Sequence, residues 1–232
     1  MSFGYSFAAV KFNQNKTIMK KFNLIYVLTL IVFSSCSEDR FIGSGDTISE
    51  FRQTNNFNRI SSEGTFEVTV TKGSTQSVQI IADDNIINRV QTNVVNGKLK
   101  LQLKEGNYSN VHLEAKITVT DLRGVSNSGV GNLYASGITD VDVFEIYNSG
   151  SASIYVDGNC RLIDVENEGS GSILAFDMLS ESCKIDNTGS GEVEVSCESN
   201  LDVTIQGSGN VYYRGTPSIN INIEGSGSLI KD

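Results

Sequence analysis

From residue 127 to the C-terminus the chain alternates apolar and polar positions with a period of two. Apolar pairs recur one residue apart: Phe144 and Ile146, Ile163 and Val165, Cys183 and Ile185, Leu201 and Val203, Ile219 and Ile221. A second series follows each of these after a short Gly–Ser step, at Ile154 and Val156, Ile173 and Ala175, Val193 and Val195, Val211 and Tyr213, and Leu229, where Lys231 breaks the pair, with Leu133 and Ala135 opening it. Alternation at this period predicts strands with one buried face.

The step between the two series is nearly the same phrase each time: NSGVGNL, NSGSASI, NEGSGSI, NTGSGEV, then QGSGNV and EGSGSL. Its first glycines, Gly129, Gly150, Gly169, Gly189, Gly207 and Gly225, are 21, 19, 20, 18 and 18 residues apart. A regular interval of this length is a solenoid signature. Helical periodicity and a leucine ladder are both absent. Strands that recur without hairpin spacing stack in parallel. The predicted fold is therefore all-β: a single-stranded, right-handed parallel β-helix, or β-solenoid, with coils of about 20 residues.

The phrase then reads as a corner. Its glycines share the parity of the buried positions, which predicts that they point inward where the opposite wall comes close. Two residues before each first glycine stand Asn127, Asn148, Asn167 and Asn187, replaced by Ile205 and Ile223 in the last two copies. Four asparagines in register predict an amide ladder up the stack. A P-loop or dinucleotide fingerprint is excluded, because each of those uses one glycine turn leading into a helix.

Residues 51–115 lack the phrase but remain β-like, and Asn96-Gly97 between two alternating runs predicts a hairpin. They are expected to cap the first coil, with the phrase-bearing coils over 116–232, so that 51–232 forms one domain.

The N-terminus has a different character. Met19-Lys20-Lys21, an apolar run over 24–33 and Ser34-Ser35-Cys36 follow one another. That order, with a run too short to span a bilayer, resembles a bacterial lipoprotein signal over 19–35. Cys36 would be lipidated and anchor the mature chain to the membrane. Residues 1–18 read as an over-extended start and 36–50 as a linker. The acidic Ser37-Glu38-Asp39 resembles an export tag for the outer face, which gives the expected location: an outer-membrane lipoprotein facing the cell surface.

Charge narrows the partners. The chain has 18 basic and 27 acidic residues, net −9; residues 1–35 hold four of the lysines and no acid, so the remainder has 14 basic residues and a net charge of −13. A nucleic-acid binder needs a basic footprint, which this composition lacks. Anionic lipid is unfavourable for the protein surface for the same reason.

Little points to chemistry. His112 stands alone. Cys160 and Cys197 fall two coils apart and Cys183 lies on a buried track, so no disulfide framework, zinc site or cofactor is expected. Outward acids include Glu145, Glu192 and Glu194, and Asp164, Glu166 and Asp186 fall on adjacent coils. Those last three are a candidate cation site or, on the plainer reading, a solvated acidic face. One outward column runs Tyr134, Tyr155, Leu174, Glu194, Tyr212, Ile230. Tyr134, Tyr155, Leu174 and Tyr212 form a candidate stripe for sugar or protein contact, or a ladder that only stabilises the surface. The last coil has no visible cap, which leaves an edge for self-association.

Residues 57–60, 67–70, IIADDNII (80–87), VVNGKLKLQL (94–103) and the GSG series together resemble the bacterial auto-transporter adhesin "head GIN" domain family. The resemblance covers 51–232 and implies a β-solenoid at the cell envelope, with no catalytic residues to carry over. The expected function is a non-catalytic binding or adhesive surface whose glycan or protein ligand is unnamed. The alternatives are a polysaccharide-processing β-helix enzyme and a purely structural envelope protein.

Overall fold

The computed structural model describes residues 39–232, and the folded unit spans Arg40–Asp232. The signal, the lipidation site at Cys36 and the over-extended start lie outside the described residues.

The predicted class holds. The unit is a β-solenoid of about five turns. Its strands are β1 (Arg40–Ile42), β2 (Thr47–Phe51), β3 (Arg59–Ser62), β4 (Glu67–Lys72), β5 (Ser77–Asp83), β6 (Val90–Val95), β7 (Lys98–Leu103), β8 (Asn107–Ser109) and β9 (Leu113–Val119). The coils follow as β10 (Gly124–Asn127), β11 (Leu133–Asn148), β12 (Ile154–Asn167), β13 (Ile173–Asn187), β14 (Val193–Ile205), β15 (Val211–Arg214), β16 (Ser218–Ile223) and β17 (Leu229–Lys231).

Each of β11 to β14 serves two walls. Its first residues pair in parallel on one wall, as Leu133 with Ile154 and Ile154 with Ile173. Register shifts then turn it, and its last residues pair on the other wall, as Phe144 with Ile163 and Ile163 with Cys183. The inward tracks close on one core that includes Phe66, Leu133, Phe144, Ile154, Ile163, Ile173 and Val193, none of them measurably exposed. Burying such side chains contributes roughly 1.5–3 kcal/mol each before entropy is charged against it.

The corners pack differently from the expectation. The glycines do not face the opposite wall; they lie on the backbone of the coil before them. A Cβ on Gly150 would sit 2.1 Å from the Gly129 carbonyl oxygen, and one on Gly189 2.0 Å from that of Gly169. The second glycine column behaves alike, with Gly191 over Gly171 and Gly209 over Gly191, each at 2.0 Å. Stacked corners in register leave no room for a side chain aimed along the stack, which is why the phrase repeats.

The asparagine ladder forms with three linked rungs. Asn148 donates to Asn167 Oδ1 at 3.0 Å, and Asn167 donates to Asn187 Oδ1 at 3.2 Å. The same amides donate to Gly171 O and Gly191 O one coil on, and Asn187 donates to Gly209 O. Asn127 instead closes its own corner, accepting from Gly129 N–H and donating to Gly131 O. All four side chains are fully buried and hydrogen-bonded, which removes the penalty that buried amides otherwise carry.

Residues 51–115 do contain a diverged copy of the phrase. Ser62 pairs with Asn127, and Gly129 and Gly131 rest on the backbones of Gly64 and Phe66, so 62–66 is a seventh corner in which Ser replaces Asn and Phe replaces Gly. Beyond it the walls close with reversed strands: β5 antiparallel to β9 and β2, and β6 antiparallel to β7. The β6–β7 turn is the predicted Asn96-Gly97 hairpin, with φ of 52° and 73°.

The linker expected up to residue 50 is corrected over 40–50, which the structure folds into the domain. β1 pairs in parallel with β8, and β2 pairs with β5. The buried Asp83 carboxylate ties this segment down by accepting from Gly45 N–H (2.8 Å) and His112 N–H (2.7 Å). Arg89 adds a second tie, with its guanidinium 3.6 Å from the Phe41 ring centre and Nε donating to Tyr108 Oη at 2.6 Å.

Candidate functional site

Two outward surfaces emerge, one on each wall. On the wall carrying the first halves of β11 to β14, the column predicted from spacing is in strict register, Tyr134, Tyr155, Leu174, Glu194, Tyr212, Ile230, and the structure adds Thr69 ahead of it. The Tyr134 and Tyr155 rings stack with centroids 4.7 Å apart and planes 9° apart. Tyr155 is 37% exposed. Because the two rings face each other along the stack, they turn edges and hydroxyls outward, not faces.

Leu174 continues the stripe, but Glu194 separates Tyr212 from it, so the four candidates form a contiguous trio and an outlier. Beside the trio lies a hollow of about 290 Å³ whose walls include Asp157, Phe176, Glu194 and Arg214. The Arg214 guanidinium covers the Phe176 ring at 3.9 Å and Nε donates to Asp232 at 2.7 Å. Burial raises the Glu194 carboxyl above its ordinary value, assisted by the charge of Glu192. Phe176 escaped the sequence reading because it lies where the strand register shifts, between Ala175 and Leu179, and Arg214 because it reads as an ordinary solvated charge. Each stands two residues on from a member of the stripe, Phe176 after Leu174 and Arg214 after Tyr212.

On the other wall a groove of about 400 Å³ runs over the second halves of the strands. One of its columns reads Lys98, Arg59, Gly124, Glu145, Asp164, Lys184, Asp202. Here Arg59 donates to both Glu145 oxygens at 2.8 Å, and Lys184 donates to Asp164 at 3.0 and 3.3 Å. The hydrogen bonds from Arg59 hold the Glu145 carboxyl below the usual carboxylate range, and the Asp164 hydrogen bond raises the Lys184 ammonium.

The neighbouring column sets Glu166 directly beside Asp186. The structure thus brings Asp164, Glu166 and Asp186 together, yet places a lysine among them that the sequence reading overlooked. Asp186 Oδ1 is buried without a hydrogen-bond partner. Among the described residues no group of three His, Cys, Asp or Glu side chains is poised to hold a metal ion.

Cys160, Cys183 and Cys197 are buried free thiols, and Ser180 lies between Cys160 and Cys197 in register, two coils apart as expected. Burial pushes the Cys160 thiol up to about 11. The neighbouring Cys197 thiol, together with burial, pushes the Cys183 thiol up, and the neighbouring Cys183 lowers that of Cys197. The His112 ring is exposed. The outward serines Ser151, Ser170, Ser190, Ser208 and Ser226 form an exposed column along the corners. No described helix is long and apolar enough to cross a membrane.

Comparison with known proteins agrees with the fold. Among curated proteins no sequence matches. A solved structure described as a "putative adhesin" from Bacteroides fragilis superposes with a TM-score of 0.69 at 20% identity, covering 83% of this chain and 100% of its own. One described as a "putative lipid binding protein" from Parabacteroides distasonis gives 0.54 at 22%, covering 84% and 100%. A "putative adhesin" from Parabacteroides merdae gives 0.52 at 21%, covering 84% and 99%. These likenesses establish the fold. The sequence profile of the family described as "Putative auto-transporter adhesin, head GIN domain" matches residues 56–217, well over half of the chain, and the chain belongs to that family.

Proposed function

We propose that this protein is a non-catalytic, adhesin-like binding module, anchored to the outer membrane through lipid on Cys36 and displaying its solenoid walls outside the cell. Family membership supports an adhesin-like role at the envelope. The signal-like order of residues 19–36 supports the anchor.

The observation that carries the reading is the Tyr134–Tyr155–Leu174 trio beside the Arg214 hollow. It is an apolar strip with charged groups at its edge, held in rigid register on an open face. The ligand class it fits is an extended glycan or protein segment lying along the stack, gripped by tyrosine edges and hydroxyls. The groove on the other wall favours a non-catalytic reading, since Glu145 and Asp164 are each held by a cation and Glu145 is shifted opposite to a general acid.

The test is saturable binding of the full chain to purified polysaccharides and extracellular-matrix proteins. Binding that the double substitution Tyr134→Ala/Tyr155→Ala weakens tenfold or more, while Ser190→Ala leaves it intact, is the expected result. Binding unchanged by the double substitution would move the site elsewhere. Absence of any saturable binding would favour a purely structural role in the envelope.

A further inference from the structure

The coil made by β16 and β17 has a neighbour on one side only among the described residues. β16 pairs with β14, and β17 with β15. Its inward residues Ile219, Ile221 and Ile223 are 43%, 42% and 45% exposed, whereas Leu201, Val203 and Ile205 directly beneath them are 1%, 1% and 0% exposed. An apolar track that is core in every other coil stands bare here, next to an edge strand with one free side.

Natural edge strands are blunted by lysine, proline or a bulge. β16 reads Ser-Ile-Asn-Ile-Asn-Ile and has none of these within it. It also has no charge, on a chain whose net charge is −9. A second copy could therefore approach this edge without the like-charge opposition that other columns of the solenoid would present.

The alternation is self-complementary. If two copies of β16 meet antiparallel, a two-fold axis at Ile221 sets that residue opposite itself, Ile219 opposite Ile223 of the partner subunit, and Asn220 opposite Asn222 of the partner subunit. Every isoleucine then meets isoleucine on the core side, and asparagine lies opposite asparagine on the outer side, where Asn220 already donates to Asp202 Oδ1 and Asn222 to Glu224 Oε1, both at 3.1 Å, within their own chain. A shift by one residue would set apolar against polar. At the opposite end the edge strands are β2 (Thr-Ile-Ser-Glu-Phe) and β6 (Val-Gln-Thr-Asn-Val-Val), and neither carries this symmetric alternation.

We infer that the outer edge of β16 is a dimer interface, joining two copies tail to tail by antiparallel pairing centred on Ile221. The interface is isologous, so it closes at two copies and does not grow into a fibre.

Sedimentation equilibrium of the full chain tests this, with circular dichroism to confirm that each variant keeps its β content. The wild type is expected to reach twice its 25.1 kDa mass as concentration rises, and Ile221→Lys to remain monomeric. The Ile221→Cys chain is expected to cross-link as a dimer with a short bis-maleimide, above the wild-type background. A wild type that stays monomeric at its highest soluble concentration overturns the proposal, with the edge then left bare or covered by residues outside 39–232. Mass growing without limit points to head-to-tail stacking and also overturns it. Equal association of wild type and Ile221→Lys, or no added cross-link, overturns the interface named here.

Discussion

Arg59 reaches Glu145 across 86 residues of sequence, with both of its 2.8 Å hydrogen bonds passing over Gly124. Gly124 pairs with both residues and has no side chain to fill the space between them. The contact therefore clamps the capping strands to the first full coil.

Its pH dependence follows from the sign of the shift. The folded pKa of Glu145 is depressed, so the stabilisation is present above the unfolded carboxylate pKa and is lost as pH falls through the folded value. Both groups are substantially exposed, so the pair contributes less than about 1 kcal/mol. Thermal melts of Glu145→Gln should lie slightly below wild type at neutral pH and converge with it in acid.

Asn167 sits mid-ladder, donating to Asn187 Oδ1 and Gly191 O and accepting from Asn148. Asn167→Ala strands those partners in the core and should cost about 2–4 kcal/mol, read by chemical denaturation. Asn127→Ala should cost less, because Asn127 serves only its own corner.

Gly189→Ala places a methyl group 2.0 Å from the Gly169 carbonyl oxygen, which only a shift of stacked backbone can relieve. The loss should exceed about 3 kcal/mol. Ser190→Ala, exposed in the same corner, should lie within about 0.5 kcal/mol of wild type. Equal effects of the two would contradict the stacked-corner account.

Glu194 gives the opposite pH sign from Glu145. Its folded pKa is raised, so it favours the folded state less as pH rises above the unfolded carboxylate value. Glu194→Gln should melt slightly higher than wild type at neutral pH, with the gain vanishing in acid.

The coils were legible in the sequence because a stacked strand repeats its inward and outward positions every turn, so spacing alone aligned Tyr134 with Tyr155 and Asn148 with Asn167. The glycines' role was not, because parity says which way a residue points from a strand and the corners are not strands. The seventh corner hid because Ser62 and Phe66 replace the residues that mark the others. Arg59–Glu145 depends on the order in which capping strands join the stack, which no local pattern encodes. Lys184 was within reach of the same counting that aligned Glu145 and Asp164. The segment 40–50 looked like linker because Gly43-Ser44-Gly45-Asp46 is loop chemistry, while its anchor, Asp83, lies far along the chain.

The central claim is that the solenoid faces outward as a binding surface. Protease treatment of intact cells that make the protein, compared with permeabilised cells and probed for residues 39–232, tests it most directly. The account predicts that intact cells lose the domain. Loss only after permeabilisation would place it in the periplasm and contradict the adhesin-like reading.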